Sequence, residues 1–305
     1  MLDNSLKHLR PASPIVLNNV TCPYCGRFFG DGGVVRNKEH VIGRNFVPRG
    51  KLNRQWNLIV WACEPCNGRK ADLENDLSAI SMQPDAVGKY ADSDQTLISE
   101  ALRKAEKTFS RRTGKPVKVS QEKLTLKMPF ASGVSFEFEF TSSPQANSER
   151  VYELARLQLM GFFYWITFDE KIRKGGFWVG GFFPVFETVR SDWGNGIMRG
   201  FMNAGVGWEP RVLAIGADGF FKIVIRRHPT ADCWSWALEW NKKHRVVGFF
   251  GDRRAAEEIV RGFPRLEMQS MAEGPDNFLR YHREIALPDD EDKLFYWESV
   301  MHDSA

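Results

Sequence analysis

The sequence predicts an α+β chain in two parts: a small metal-stapled N-terminal part, then a larger, aromatic-rich and β-rich α+β part. Three observations predict it. Two C-x-x-C pairs, Cys22/Cys25 and Cys63/Cys66, flank an insert with two short β-like runs. From Glu122 the apolar pattern switches from helical spacing to alternation with period two. Residues 121–305 also hold 8 of the 10 tryptophans and 19 of the 23 phenylalanines. The expected division is 1–118, with its core at 21–77 and a trailing helix, and 121–305, folded around its own aromatic core.

Composition sets the class. In 305 residues, 43% are hydrophobic and 26% charged, enough apolar mass for real cores and too much for a disordered, collagen-like or coiled-coil chain. Five cysteines are too sparse for a disulfide scaffold. The N-terminus shows no apolar signal-peptide core. The longest apolar stretch, Leu154 to Phe168, is broken by Arg156 and Gln158 and falls short of the ~18 residues a membrane span needs. A soluble, cytoplasmic protein with reduced thiols is therefore expected. Residues 1–75 carry 11 Lys and Arg against 6 Asp and Glu, whereas the rest carries 31 against 32. A second basic stretch lies at 101–120. This asymmetry fits a polyanion partner for the N-terminal part, or solvated helix faces.

In chain order, residues 1–20 read as a loose leader. Val34 to Ile42 and Trp56 to Ala62 are β-like and would pair as a hairpin across a long basic connection, GRNFVPRGKLNRQ. Asn67 opens a helical pattern with Leu73, Leu77 and Ile80, and Asn is a natural helix N-cap. Thr96 to Arg111 spaces its apolar residues as a helix, stopped by Gly114 and Pro116. KLTLKMPF and VSFEFEF read as strands, 141–148 as a polar linker, and Glu149 to Phe168 as a buried helix. VLAIGADGFFKIVI predicts a hairpin turning at Ala217-Asp218-Gly219, CWSWALEW and RVVGFF a second pair around Asn241-Lys242-Lys243, and Arg254 to Arg261 a helix. The Phe- and Trp-rich strands suit a β-rich core better than a base-stacking platform. GNGIMRG lacks the spacing of a nucleotide loop.

The chemistry sits in the first quarter. A C-x-x-C turn sets two thiolates about one ligand edge apart, and two such turns, Cys22/Cys25 and Cys63/Cys66, complete a tetrahedral Zn²⁺ site with no open position, hence a structural one. A redox C-x-x-C expects a single pair near a βαβ unit. The fifth cysteine, Cys233, reads as a buried apolar filler. Between the pairs lie Glu39-His40 and Trp56-Asn57-Leu58, and Cys66 is followed by Asn67-Gly68-Arg69-Lys70.

That order of features resembles the HNH endonucleases, whose core is the ββα-metal fold. The resemblance spans Thr21 to about Leu77, less than a fifth of the chain. It implies His40 as the general base that activates water, Glu39 and Asn67 as ligands of a catalytic Mg²⁺ or Mn²⁺, and Asn57 as the residue that holds the loop and orients the His. Lys70 resembles the helix lysine that contacts phosphate. Oxygen donors suit a hard cation, and neutral His suits deprotonation of water. Arg69 beside Lys70, and Arg44 in the basic loop, are candidate nucleic-acid contacts. The acid before the His is usually Asp and is here Glu39; the last His is here Asn67, as in other members. His8, His228, His244, His282 and His302 read as surface or core residues.

The expected function is hydrolysis of DNA phosphodiester bonds, in phage defence, restriction, mobile elements or repair. The competing reading is a non-catalytic zinc-dependent nucleic-acid-binding protein. A homodimer is one route by which a single site cuts both strands, and residues 121–305 would receive a target, signal or partner.

Overall fold

A computed structural model describes residues 7–9, 13–85, 88–121, 123–131, 133–177, 181–272 and 279–296. His302, Glu122 and part of the expected leader lie outside them. The elements in order are β1 (Lys7–Leu9), β2 (Ile15–Val16), β3 (Arg36–His40), β4 (Leu58–Cys63), α1 (Glu64–Ser81), α2 (Gln95–Lys107), β5 (Lys123–Ala131), β6 (Val134–Thr141), α3 (Ser148–Ile166), β7 (Phe183–Val189), α4 (Gly196–Ala204), β8 (Glu209–Gly216), β9 (Phe221–Arg227), β10 (Cys233–Trp240), β11 (His244–Gly251), α5 (Arg253–Arg261), β12 (Met268–Ala272) and β13 (Leu279–His282). The chain is mixed α+β. A six-stranded sheet runs β1-β8-β9-β10-β11-β7 and a three-stranded one β2-β4-β3, with β5-β6 and β12-β13 as separate pairs. Among the described residues, no helix is long and apolar enough to cross a membrane.

Local chemistry explains the turns. Between β8 and β9, Ala217, Asp218 and Gly219 all have positive φ, and between β10 and β11 so do Asn241 and Lys242. Asn tolerates that region; Lys242 does so less readily, and is held by Asp92 at 2.5 Å and by the Phe220 ring. β10 and β11 pair continuously from Cys233↔Gly251 to Trp240↔His244. Cys233 is fully buried there among apolar residues, as expected of a filler.

The leader is not loose where it is described. Ile15 and Val16 pair in parallel with Leu58 and Ile59, and Lys7–Leu9 with Val212–Ala214. Open sheet edges recruit strands through backbone groups, which leave no side-chain pattern to read.

The packing does not follow the expected boundary at 118/121. One cluster of buried residues runs from Leu17, Val41 and Trp56 through α3 to Trp236 and Phe250. The cause is α3, which is apolar nearly all round and so must be covered on all sides. Toward the N-terminal part, Gly161 lies so close to Val41 that a Cβ would come within 2.8 Å of it, and Tyr164 Oη meets Thr21 Oγ1 at 2.9 Å. Toward the large sheet, Phe162 stacks on Phe221, Phe163 meets Trp234 edge-on, and Gln158 Oε1 accepts from Trp240 Nε1 at 3.0 Å. The connection between β3 and β4 docks on that sheet too: Trp56 Nε1 donates to Ile215 O at 2.8 Å.

Candidate metal centre and basic cavity

The first C-x-x-C turn precedes β3, and the second spans the end of β4 and the start of α1. Antiparallel pairing of Arg36 with Cys63 brings the two together. The four Sγ atoms of Cys22, Cys25, Cys63 and Cys66 lie within 4.8 Å of one another, with Cys25 and Cys63 at 3.6 Å. Zn–S bonds of ~2.3 Å in a tetrahedron require S···S edges of ~3.8 Å, so the four cysteines fit a metal ion such as zinc. Hydrogen bonding from Cys66 draws the Cys22 thiol down to about 5. Burial pushes Cys25 up to about 11, and the bond to Cys22 pushes Cys66 upward. One thiol gives up its proton readily and its neighbours resist, the condition a divalent cation relieves.

Glu39 and His40 are consecutive on β3, so their side chains point to opposite faces. Glu39 is buried in the interior, where its Oε1 takes Lys70 Nζ at 2.7 Å and Tyr24 Oη at 3.4 Å. Burial raises its pKa despite the lysine. Lys70 is fully buried and also donates to Glu74 Oε1 at 2.6 Å and to the His40 carbonyl at 3.1 Å. Burial depresses its pKa, but Glu74 and Glu39 outweigh that and raise it. This placement leaves the ammonium turned inward, away from any phosphate. Tyr24 and Glu74 complete a buried cluster that sequence reasoning missed; the Lys70/Glu74 spacing of i, i+4 was its only local signal.

His40 faces the other way. Its imidazole lines a cavity of about 490 Å³ together with Asn57, Arg44, Arg49 and Arg54. Its Nε2 is buried and has no hydrogen-bond partner among the described residues. Burial, then Arg44, Lys70 and Lys38, hold its pKa below the ordinary value, so the imidazole is neutral near pH 7. Asn57 is buried and clasps the backbone beyond the strand: its Nδ2 donates to Ile42 O at 2.8 Å, and its Oδ1 accepts from Ile42 N at 3.4 Å. It thus fixes the start of the basic loop, two residues past His40. Arg54 adopts φ 58° as the loop turns back toward Trp56. Arg49 was unremarked in the sequence; only the basic character of the whole connection pointed to it.

Asn67 is not the helix N-cap. α1 begins at Glu64 with Cys63 as its cap, because Pro65 favours the first turn. Asn67 lies half-buried inside that turn and does not line the His40 cavity. Arg69, exposed on α1, pairs with Glu153 of α3 at 2.9 Å. With Glu39 bound to Lys70 and Asn67 elsewhere, the residues do not fit a catalytic cation held by that pair.

No protein-family model, no curated protein and no solved structure matches this chain. Fold and site together define a mixed α+β protein with a four-cysteine cluster able to hold a metal ion, joined to a histidine-bearing basic cavity.

Proposed function

We propose that this chain is an HNH-type endonuclease that hydrolyses DNA phosphodiester bonds, with Cys22, Cys25, Cys63 and Cys66 holding a structural zinc. One observation carries the reading: a neutral His40 whose Nε2 has no partner among the described residues, set in a cavity with Arg44, Arg49 and Arg54. An unpartnered imidazole nitrogen can take a proton from water, and guanidinium groups hold a phosphodiester by paired hydrogen bonds and stabilise charge on phosphorus. Asn57 keeps loop and strand in register, so that base and arginines stay opposed.

A second reading is favoured by one specific observation. Glu39 is neutralised by Lys70, which suits a zinc-dependent nucleic-acid-binding protein with no catalytic cation. Supercoiled plasmid incubated with Mg²⁺, Mn²⁺ or EDTA separates the two. The expected result is nicking by the wild type, lost by about 10²–10⁴ in His40→Ala with DNA affinity kept. Binding without cutting in either cation would establish the second reading. Metal analysis of purified protein is expected to give about one zinc per chain; four freely titrating thiols in the native state would refute the zinc assignment.

A further inference from the structure

A second cavity, of about 780 Å³, lies far along the chain from the basic one. Its walls include Met202 and Val206 from the end of α4 and the turn after it, Leu294 and Tyr296 from the C-terminal segment, and Arg226 from β9. Arg226 is 7% exposed. Its Nη2 donates to the Leu294 carbonyl at 2.7 Å, and no other side-chain hydrogen bond or ion pair engages it among the described residues. Burial pulls its pKa down to about 10.

The chain's other buried arginines are treated differently. Arg245 is fully buried and takes Glu239 at 2.8 Å, Asp292, and the Trp193 ring. Arg211, also fully buried, faces Glu209 at 4.0 Å and lies over the Trp234 ring. A buried cation without a counter-ion is strongly unfavourable, and the α4 C-terminus beside Arg226 offers only roughly half a charge. The cavity combines that unneutralised guanidinium with apolar walls, the composition of a small-molecule site. Among the other charged residues of the lining, Arg199 and Lys293 balance Asp290 and Glu291, with Glu291 paired to Arg199 at 2.7 Å, so Arg226 adds the one unbalanced charge and matches a singly charged head.

We propose that this cavity binds a small organic monocarboxylate, its carboxylate on Arg226 and its apolar body against Met202, Val206, Leu294 and Tyr296. The guanidinium supplies charge-assisted N–H donors. Ligand binding would neutralise the one buried arginine that the described fold leaves uncompensated.

Calorimetric titration of the full chain with octanoate tests this, with octanol and inorganic phosphate as controls. Expected are saturable uptake of about one octanoate per chain, octanol weaker by about tenfold or more, and no uptake of phosphate at the same concentration. Arg226→Met is expected to lose about tenfold or more in octanoate affinity. Val206→Trp, a change at an exposed position on the cavity wall, is expected to weaken it by obstruction. No saturable octanoate uptake by the wild type, equal uptake of octanol or phosphate, or unchanged affinity in Arg226→Met would overturn the proposal. If Arg226→Met does not fold, Val206→Trp decides, and unchanged binding there overturns it.

Discussion

A protein ending at residue 118 will not fold on its own. Its Val41 would lose Gly161, its Trp56 would lose both Phe162 and the carbonyl of Ile215, and its Phe46 would lose Trp240. Uncovering a large apolar side chain costs about 1.5–3 kcal/mol, so three of them reach on the order of 5–9 kcal/mol, as much as a whole domain's stability. Polar losses add to this: Asn241 Nδ2 donates to Phe46 O at 3.2 Å and Ser81 Oγ at 2.8 Å, and Lys243 Nζ donates to Gln83 O at 2.7 Å. Zinc would staple the two C-x-x-C turns but cannot cover that face. Circular dichroism and gel filtration of residues 1–118 in zinc should show aggregation or an expanded chain without a cooperative melt. Co-expression with 121–305 should restore a soluble complex. A monomeric, cooperatively melting 1–118 would show instead that the shared core is dispensable.

What was legible in the sequence was whatever is specified locally. Cys22/Cys25 and Cys63/Cys66 declare a metal cluster because two residues of spacing fix each thiol pair. The turns at Ala217-Asp218-Gly219 and Asn241-Lys242-Lys243 could be placed because each holds residues that tolerate positive φ, Asp218 and Gly219 in the first and Asn241 in the second. α3 was visible as a buried helix, but a pattern that is apolar all round does not say what buries it. Its two-sided role joins parts of the chain that no local signal connects; Trp56 and Ile215 are 159 residues apart. The same limit governed the site. Glu39 and His40 read as one acid–base unit because they are adjacent, yet adjacency on a strand is what separates them onto opposite faces. Lys70 read as a phosphate ligand from its place near a helix start, while its burial against β3 depended on where that strand packs.

Lys70→Ala is expected to destabilise the protein by about 3–5 kcal/mol while leaving DNA affinity nearly unchanged. Lys70 is the shared counter-ion of Glu39 and Glu74, at 2.7 and 2.6 Å, with no exposed surface. Removing one partner of a buried ion pair leaves the others charged or forces them to take up protons, and either costs several kcal/mol. Tyr24 donates to Glu39 and Gly43 N to Glu74, which softens the loss without supplying charge. The cluster joins β3 to α1, so its failure would also loosen the second cysteine turn. The measurement is urea unfolding of Lys70→Ala beside Lys70→Met combined with Glu39→Gln and Glu74→Gln. The triple variant removes all three charges together, and should recover most of the lost stability where the single variant cannot. DNA binding, measured where Lys70→Ala stays folded, should keep the wild-type salt dependence. A lysine on phosphate behaves oppositely: stability would hold, affinity would fall for every sequence, and the salt slope would drop by about one. That pattern would return Lys70 to the phosphate-binding face and require β3 and α1 to pack differently from the arrangement described above.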